Sequence, residues 1–90
     1  MGYRDFGDIG DKNHFDIIDY TTDLKKVQDK IKASKASGGG DAPEDVLGAL
    51  KEAYELKHES PILCVFMICD APGHGKQYHS CHDYYPNQPD

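Results

Sequence analysis

Apolar positions along this chain fall into three patterns. From Leu24 to Ile31 they recur as Leu24, Val27 and Ile31, spaced i, i+3, i+7, which puts them on one helical face. This predicts a first helix over residues 23–33, with Thr22 as its N-cap through a hydroxyl that accepts from an orphan backbone N–H. Val46, Leu47, Leu50, Ala53 and Tyr54 form a second stripe reaching about Leu56. Asp41-Ala42-Pro43-Glu44 precedes it, with a carboxylate, a first-turn proline and a glutamate arranged nearly as a capping box. The second helix is therefore expected to open at Asp41. The third pattern, Ile62 to Cys69, is apolar at every position and lies between Pro61 and Asp70-Ala71-Pro72-Gly73. Such a run fits a strand covered on both faces. Val65 and Phe66 are expected to be buried there, so that Phe66→Ala would cost about 3–5 kcal/mol.

The intervening segments are weaker. Residues 1–14 read as a strand end followed by a loop, since Asp5, Asp8, Asp11, Gly7 and Gly10 are turn residues. Phe15 to Tyr20 is short and β-prone, an edge strand. Ser34 to Gly40 is small and polar and closes with three glycines. The order of strand, helix, helix, buried strand and loop is that of a parallel α/β sheet, whose ligands bind beyond the carboxyl ends of the strands. Asp70 stands at that rim.

Composition narrows the partners. The 90 residues carry a net charge of -6, and the mean hydropathy is -0.71. An acidic chain lacks the basic face that nucleic acid requires, and it is repelled by anionic membrane surfaces. Ile62–Cys69 is too short to span a bilayer, so no membrane insertion is expected. Cys64, Cys69 and Cys81 are odd in number and lack framework spacing. They read as reduced thiols of a cytoplasmic protein.

Few residues suggest chemistry. Asp70 is either a ligand at the sheet rim or a cap over the turn that follows. Gly38-Gly39-Gly40-Asp41 leads into a helix start but lacks the Gly-Lys-Ser/Thr of a phosphate loop. Its acidic residues Asp41, Glu44 and Asp45 suit helix capping or a hard cation shared with another carboxylate. His74, His79, Cys81 and His82 are zinc-ligand types at non-standard spacing, alternatively a surface loop of local hydrogen bonds. No nucleophile motif or metalloprotease motif occurs, and Cys64 and Cys69 are expected inside an apolar strand where a thiolate is disfavoured. Nothing marks Asp5/Asp8 or Asp41/Glu44/Asp45 as an acid and base of differing pKa, so no catalytic residue is assigned and the chain is not read as an enzyme.

Several strings together are distinctive. Gly2-Tyr3-Arg4-Asp5, Tyr20-Thr21, Gly38 to Val46, Cys69 to Gly75, Tyr78-His79 and Asp83 to Pro86 resemble von Willebrand factor type A domains, most closely those attached to alpha-type (atypical) protein kinases in protists. The resemblance covers essentially all of the chain. It implies a doubly wound, Rossmann-like α/β domain with a metal-ion-dependent adhesion site, of which residues 1–90 would be the second to fourth strands, two helices and the following loop. In that family three loops hold a divalent ion, through Asp-x-Ser-x-Ser, a Thr and an Asp. Asp70 matches the last, and Asp41 stands where the Thr would be. The first motif does not occur here, so the site is incomplete and the first, central strand is missing. Either the chain is a truncated or split gene product, or its remaining strands re-pair.

Two functions follow from the resemblance. One is a protein-binding module of the adhesion type, with Mg²⁺ in the intact domain. The other is a non-catalytic regulatory segment of an alpha-type protein serine/threonine kinase, any kinase activity lying outside these residues. Since Mg²⁺ wants near-octahedral oxygen ligands at about 2.0–2.1 Å and keeps its waters tenaciously, Asp41 and Asp70 without the first loop should bind it no tighter than millimolar. Calorimetry on the isolated chain checks this, and micromolar Mg²⁺ binding would show that the missing loop is dispensable.

Overall fold

A computed structural model describes residues 1–6 and 14–88. The turn expectations at Gly7, Asp8, Gly10 and Asp11 lie outside them. Four elements form: β1 (Gly2–Tyr3), β2 (Phe15–Asp16), α1 (Leu24–Ala33) and α2 (Val46–Glu55). The strands pair antiparallel, with Gly2 opposite Asp16 and Tyr3 opposite Phe15. Arg4 N–H extends the ladder to the His14 carbonyl at 2.9 Å. Its guanidinium then ties three segments together, reaching Asp16 Oδ2 at 3.0 Å, the Lys35 carbonyl at 3.0 Å and Ser37 Oγ at 3.1 Å. The edge strand expected over 15–20 is thus confined to the two residues that β1 is long enough to pair.

Both helices are where the apolar periodicity put them, with different starts. α1 is capped by Asp23, not Thr22: Asp23 Oδ1 accepts from Lys26 N–H at 3.1 Å, while Thr21 Oγ1 accepts from Asp23 N–H. α2 begins at Val46, five residues after the expected Asp41. The reason lies in the backbone. Glu44 forms a parallel bridge with Gly73, its N–H bonding the Pro72 carbonyl at 3.0 Å and its carbonyl accepting from His74 N–H at 3.3 Å. A residue so engaged cannot enter a helix, and capping passes to Asp45, whose Oδ1 accepts from Gly48 N–H at 2.9 Å. A Cβ at position 48 would strike the Asp45 carboxylate, so the glycine makes room for the cap. Asp41 does not cap α2. Its Oδ2 accepts instead from Tyr84 N–H at 2.6 Å.

The largest departure is at 62–69. The run forms no strand, and among the described residues its backbone makes no hydrogen bond. Val65 is 56% exposed, Phe66 91% and Ile68 94%. A strand needs a neighbour to take its N–H and C=O groups, and the short β1–β2 ribbon supplies none. The run flanks an apolar cleft of about 240 Å³ whose other walls are Met1, Tyr3 and the Ala49, Leu50 and Ala53 face of α2. Leu24 and Ile31 of α1 are exposed too. The expected parallel α/β sheet is therefore not assembled by the described residues, because its longest strand has nothing to pair with. Among the described residues, those buried are Ala49, Pro43 and Gly75 together with the polar Asp5, Asp45 and His74.

Two substitutions separate these roles. Phe66→Ala, which a buried strand would make costly, should change stability by no more than about 0.5 kcal/mol in this chain. Asp45→Ala, which removes the α2 cap and the 2.7 Å partner of His14 Nε2, should cost about 1–2 kcal/mol. Urea titrations followed by circular dichroism measure both, and a larger loss at Phe66 than at Asp45 would contradict the packing described.

Candidate functional site

The buried polar residues converge where three loops meet: the exit of β1, the Asp41–Asp45 approach to α2, and residues 70–85. The Glu44–Gly73 bridge fastens the second loop to the third, and the Asp41–Tyr84 bond fastens the second to the end of the third. His74 sits at the junction, 3% exposed. Its Nε2 is 2.5 Å from Asp5 Oδ1 and its Nδ1 is 2.6 Å from Asp83 Oδ1. Where both carboxylates are ionised they only accept, so both ring nitrogens then donate and the ring is an imidazolium. Phe6 stacks on it with centroids 5.6 Å apart, and Tyr85 meets it edge-on at 5.0 Å. These rings keep water from the bonds.

Asp83 is the anchor of the third loop. It accepts from Gly75 N–H at 2.8 Å through Oδ2 and from Tyr85 N–H at 2.7 Å through Oδ1, and His79 Nε2 stands 3.1 Å from Oδ2. Gly75 holds its N–H toward Asp83 with φ of +117°, and a Cβ there would strike the Gln88 carbonyl, so only glycine serves. Burial works against the Asp83 carboxylate, but the Gly75, His74 and Tyr85 bonds outweigh it and hold its pKa well below the usual carboxylate range. Burial likewise works against the charged His74 ring. The bonds to Asp5 and Asp83 overcome it and raise the imidazole pKa. At Asp5 burial prevails over the His74 bond, and nearby Asp41 adds to it, so that carboxyl is pushed up.

Of the residues singled out from sequence, Asp41 and His74 join this centre. Ligand atoms of Asp5, Asp41 and His74 lie within 4.8 Å of one another, and among the described residues this is the one such grouping of three or more. Asp70 is exposed and does not join it. Asp70 lines a separate cleft with Gly2, Arg4 and Glu44. The four zinc-ligand types of the histidine loop do not converge either. His74 and His79 both turn to Asp83, Cys81 Sγ lies 3.1 Å from His79 Nδ1, and His82 packs against Tyr84. Cys64 and Cys69, expected to be buried, are exposed. Sequence reasoning passed over Asp83 as a site residue and weighed Asp5 only as half of an unmarked carboxylate pair. Asp5 is 69 positions from His74, and no local pattern links them.

No helix among the described residues is long and apolar enough to cross a membrane. No family model matches the chain, and no solved structure matches it. Among curated proteins it is similar to the alpha-protein kinase vwkA of Dictyostelium discoideum, 43% identical over 57 residues, which is 62% of this chain. The chain spans 9% of that protein's length.

The triad gives stability a definite pH dependence. His74 holds its second proton more tightly when folded, so its contribution is complete below the ordinary imidazole value of about 6.5 and is lost as pH rises through the higher folded value. Asp83 behaves oppositely: its contribution is present above the ordinary carboxylate value and is lost as pH falls through the depressed one. Asp5, pushed up, withdraws stability as pH rises through the carboxylate range. The urea midpoint, measured with chelator present, should therefore be greatest in mildly acid solution and fall on the alkaline side. His74→Gln should flatten that fall. An unchanged midpoint for the parent chain between about pH 6 and 9 would contradict the imidazolium assignment.

Proposed function

We propose that this chain is part of a von Willebrand factor A-type protein-binding module in a polypeptide of the alpha-kinase kind, and that it is not itself catalytic. The observation that carries this reading is the docking of the Gly38–Asp45 loop on the Cys69–Gly75 loop through the Glu44–Gly73 bridge. These are two of the strings on which the resemblance rests, and they lie far apart in sequence. The 57-residue similarity to an alpha-protein kinase supports the same context, and its 9% share of that protein is consistent with a segment apart from the kinase chemistry. The apolar run at 62–69 fits as well, for it reads as a strand and lies uncovered beside the α2 face.

On this reading the missing central strand would enter between β1 and residues 62–69 and complete a doubly wound sheet. Protein partners would then meet the rim that carries Asp41 and Asp70. Magnesium belongs to that intact domain. In this chain Asp41 groups with Asp5 and His74 and not with Asp70, and one of the three converging ligand atoms is a nitrogen, which does not fit an all-oxygen Mg²⁺ shell. A regulatory segment of the kinase polypeptide is the second reading. It is favoured by the kinase identity of the relative alone.

The test begins with the coding sequence around residues 1–90, where Asp-x-Ser-x-Ser is expected upstream and an alpha-kinase domain downstream. Expressed with the upstream segment, the chain should gain amide protection across residues 62–69, slowing hydrogen exchange by at least about 100-fold, as strand pairing of a few kcal/mol would. Amides that stay open in the extended chain, or a flank without that motif, would overturn the proposal.

A further inference from the structure

We infer that Asp5, Asp41 and His74 form a binding site for a borderline divalent transition metal ion, zinc in kind, with Asp83 orienting the histidine from behind. This site shares Asp41 with the oxygen-only magnesium site that the resemblance implies but differs from it in its other ligands and its nitrogen donor, and it does not depend on the binding-module reading.

Four observations converge. First, one ligand atom from each residue lies within 4.8 Å of the others, so small side-chain adjustments bring all three to the roughly 2.0–2.2 Å bonds of a first-row metal. Second, Asp41 Oδ1 is buried and has no hydrogen-bond partner, while Oδ2 of the same carboxylate is held by Tyr84 N–H at 2.6 Å. A buried acceptor without a donor is costly, and a cation bound there would satisfy it while the other oxygen stays fixed. Third, His74 offers Nε2 to the group and uses Nδ1 to contact Asp83 at 2.6 Å. A metal-bound imidazole is ordinarily oriented in this way by a carboxylate at its other nitrogen, and the carboxylate makes it a better ligand. Asp83 is itself fixed by the Gly75 and Tyr85 N–H groups, so the orientation is built into the fold. Fourth, three carboxylates face this one ring, and replacing the bridging Nε2 proton by a dication leaves the buried cluster one charge less negative.

The donor set decides which ion. One imidazole nitrogen and two carboxylate oxygens suit zinc or cobalt(II) better than magnesium or calcium, which prefer oxygen alone. Three protein ligands leave a fourth position open, which a water or an acidic side chain of a partner would take. Binding would also tie the β1 exit to the α2 approach and the third loop at a single point.

The experiment titrates the full 90-residue chain with Co²⁺, read by its visible absorption, and then displaces the Co²⁺ with Zn²⁺. One equivalent should bind at micromolar concentration or tighter, Zn²⁺ should displace it, and Mg²⁺ at millimolar concentration should not. Asp41→Asn keeps an acceptor for Tyr84 N–H and should weaken binding at least tenfold, with the circular dichroism spectrum unchanged. Asp83→Asn, outside the coordination shell, should weaken it about 10- to 100-fold. Asp70→Asn should have no effect, which separates this site from the rim carboxylate of the proposed module. The inference is overturned by an absence of Co²⁺ binding at millimolar concentration, or by Mg²⁺ competing equally. It is also overturned if binding survives Asp41→Asn but is lost in Cys81→Ser, which would put the ion in the histidine loop.

Discussion

The contact on which the rest of the structure depends is the imidazolium of His74 held between Asp5 and Asp83. It joins the first residues of the chain to the last described loop across 69 positions, and it does so inside a chain with little apolar core. Among the described residues Ala49 is the one buried hydrophobic residue beside Pro43, so burial of apolar surface does not by itself fix how the loops sit. Charge-assisted bonds at 2.5–2.6 Å, screened from water by Phe6 and Tyr85, are strong in a low-dielectric pocket and directional. They specify one arrangement where hydrophobic collapse would allow many. The cost is conditional stability, since a network that relies on a charged histidine weakens when the ring loses its proton.

The same junction explains why the chain before α2 is not helical. Once His74 is fixed, Gly73 beside it presents its backbone to Glu44, and the parallel bridge draws residues 43–44 out of any helix. Asp41 is then free of capping duty. Its two oxygens divide, one accepting from Tyr84 and the other buried without a hydrogen-bond partner. A residue whose local sequence marks it as a cap thus becomes part of a site because a long-range contact claimed its neighbours.

How far the sequence disclosed this follows from the range of each interaction. The helices were legible because their apolar repeats are local and their capping groups lie within three residues, and even so the caps moved by one position in α1 and from Asp41 to Asp45 in α2. The strand character of 62–69 was legible as composition, but burial needs partners, which composition does not contain. Asp41 was recognised as a cation-ligand candidate and His74 as a zinc-ligand type, but in separate groups. That they meet, with Asp5 between them, was not legible, because nothing near Asp5 in the chain signals that a histidine will arrive beside it. Asp83 stood in a recognised string, yet its work is done through backbone N–H groups of Gly75 and Tyr85 that a sequence does not display.

The two halves of the molecule are therefore unequally finished. Around His74 each loop is pinned by bonds of definite geometry, whereas on the far side of β1 the apolar residues of 62–69 stand beside α2 without a backbone partner among the described residues. An uncovered apolar segment with unpaired N–H and C=O groups is a template for another strand. Pairing there would bury Phe66 and Ile68 without disturbing the polar junction, because the junction draws on residues 70–85 and the segment ends at Cys69. The junction can thus form without such pairing. Its geometry is fixed by the loops, and a strand added along residues 62–69 would bury further apolar surface.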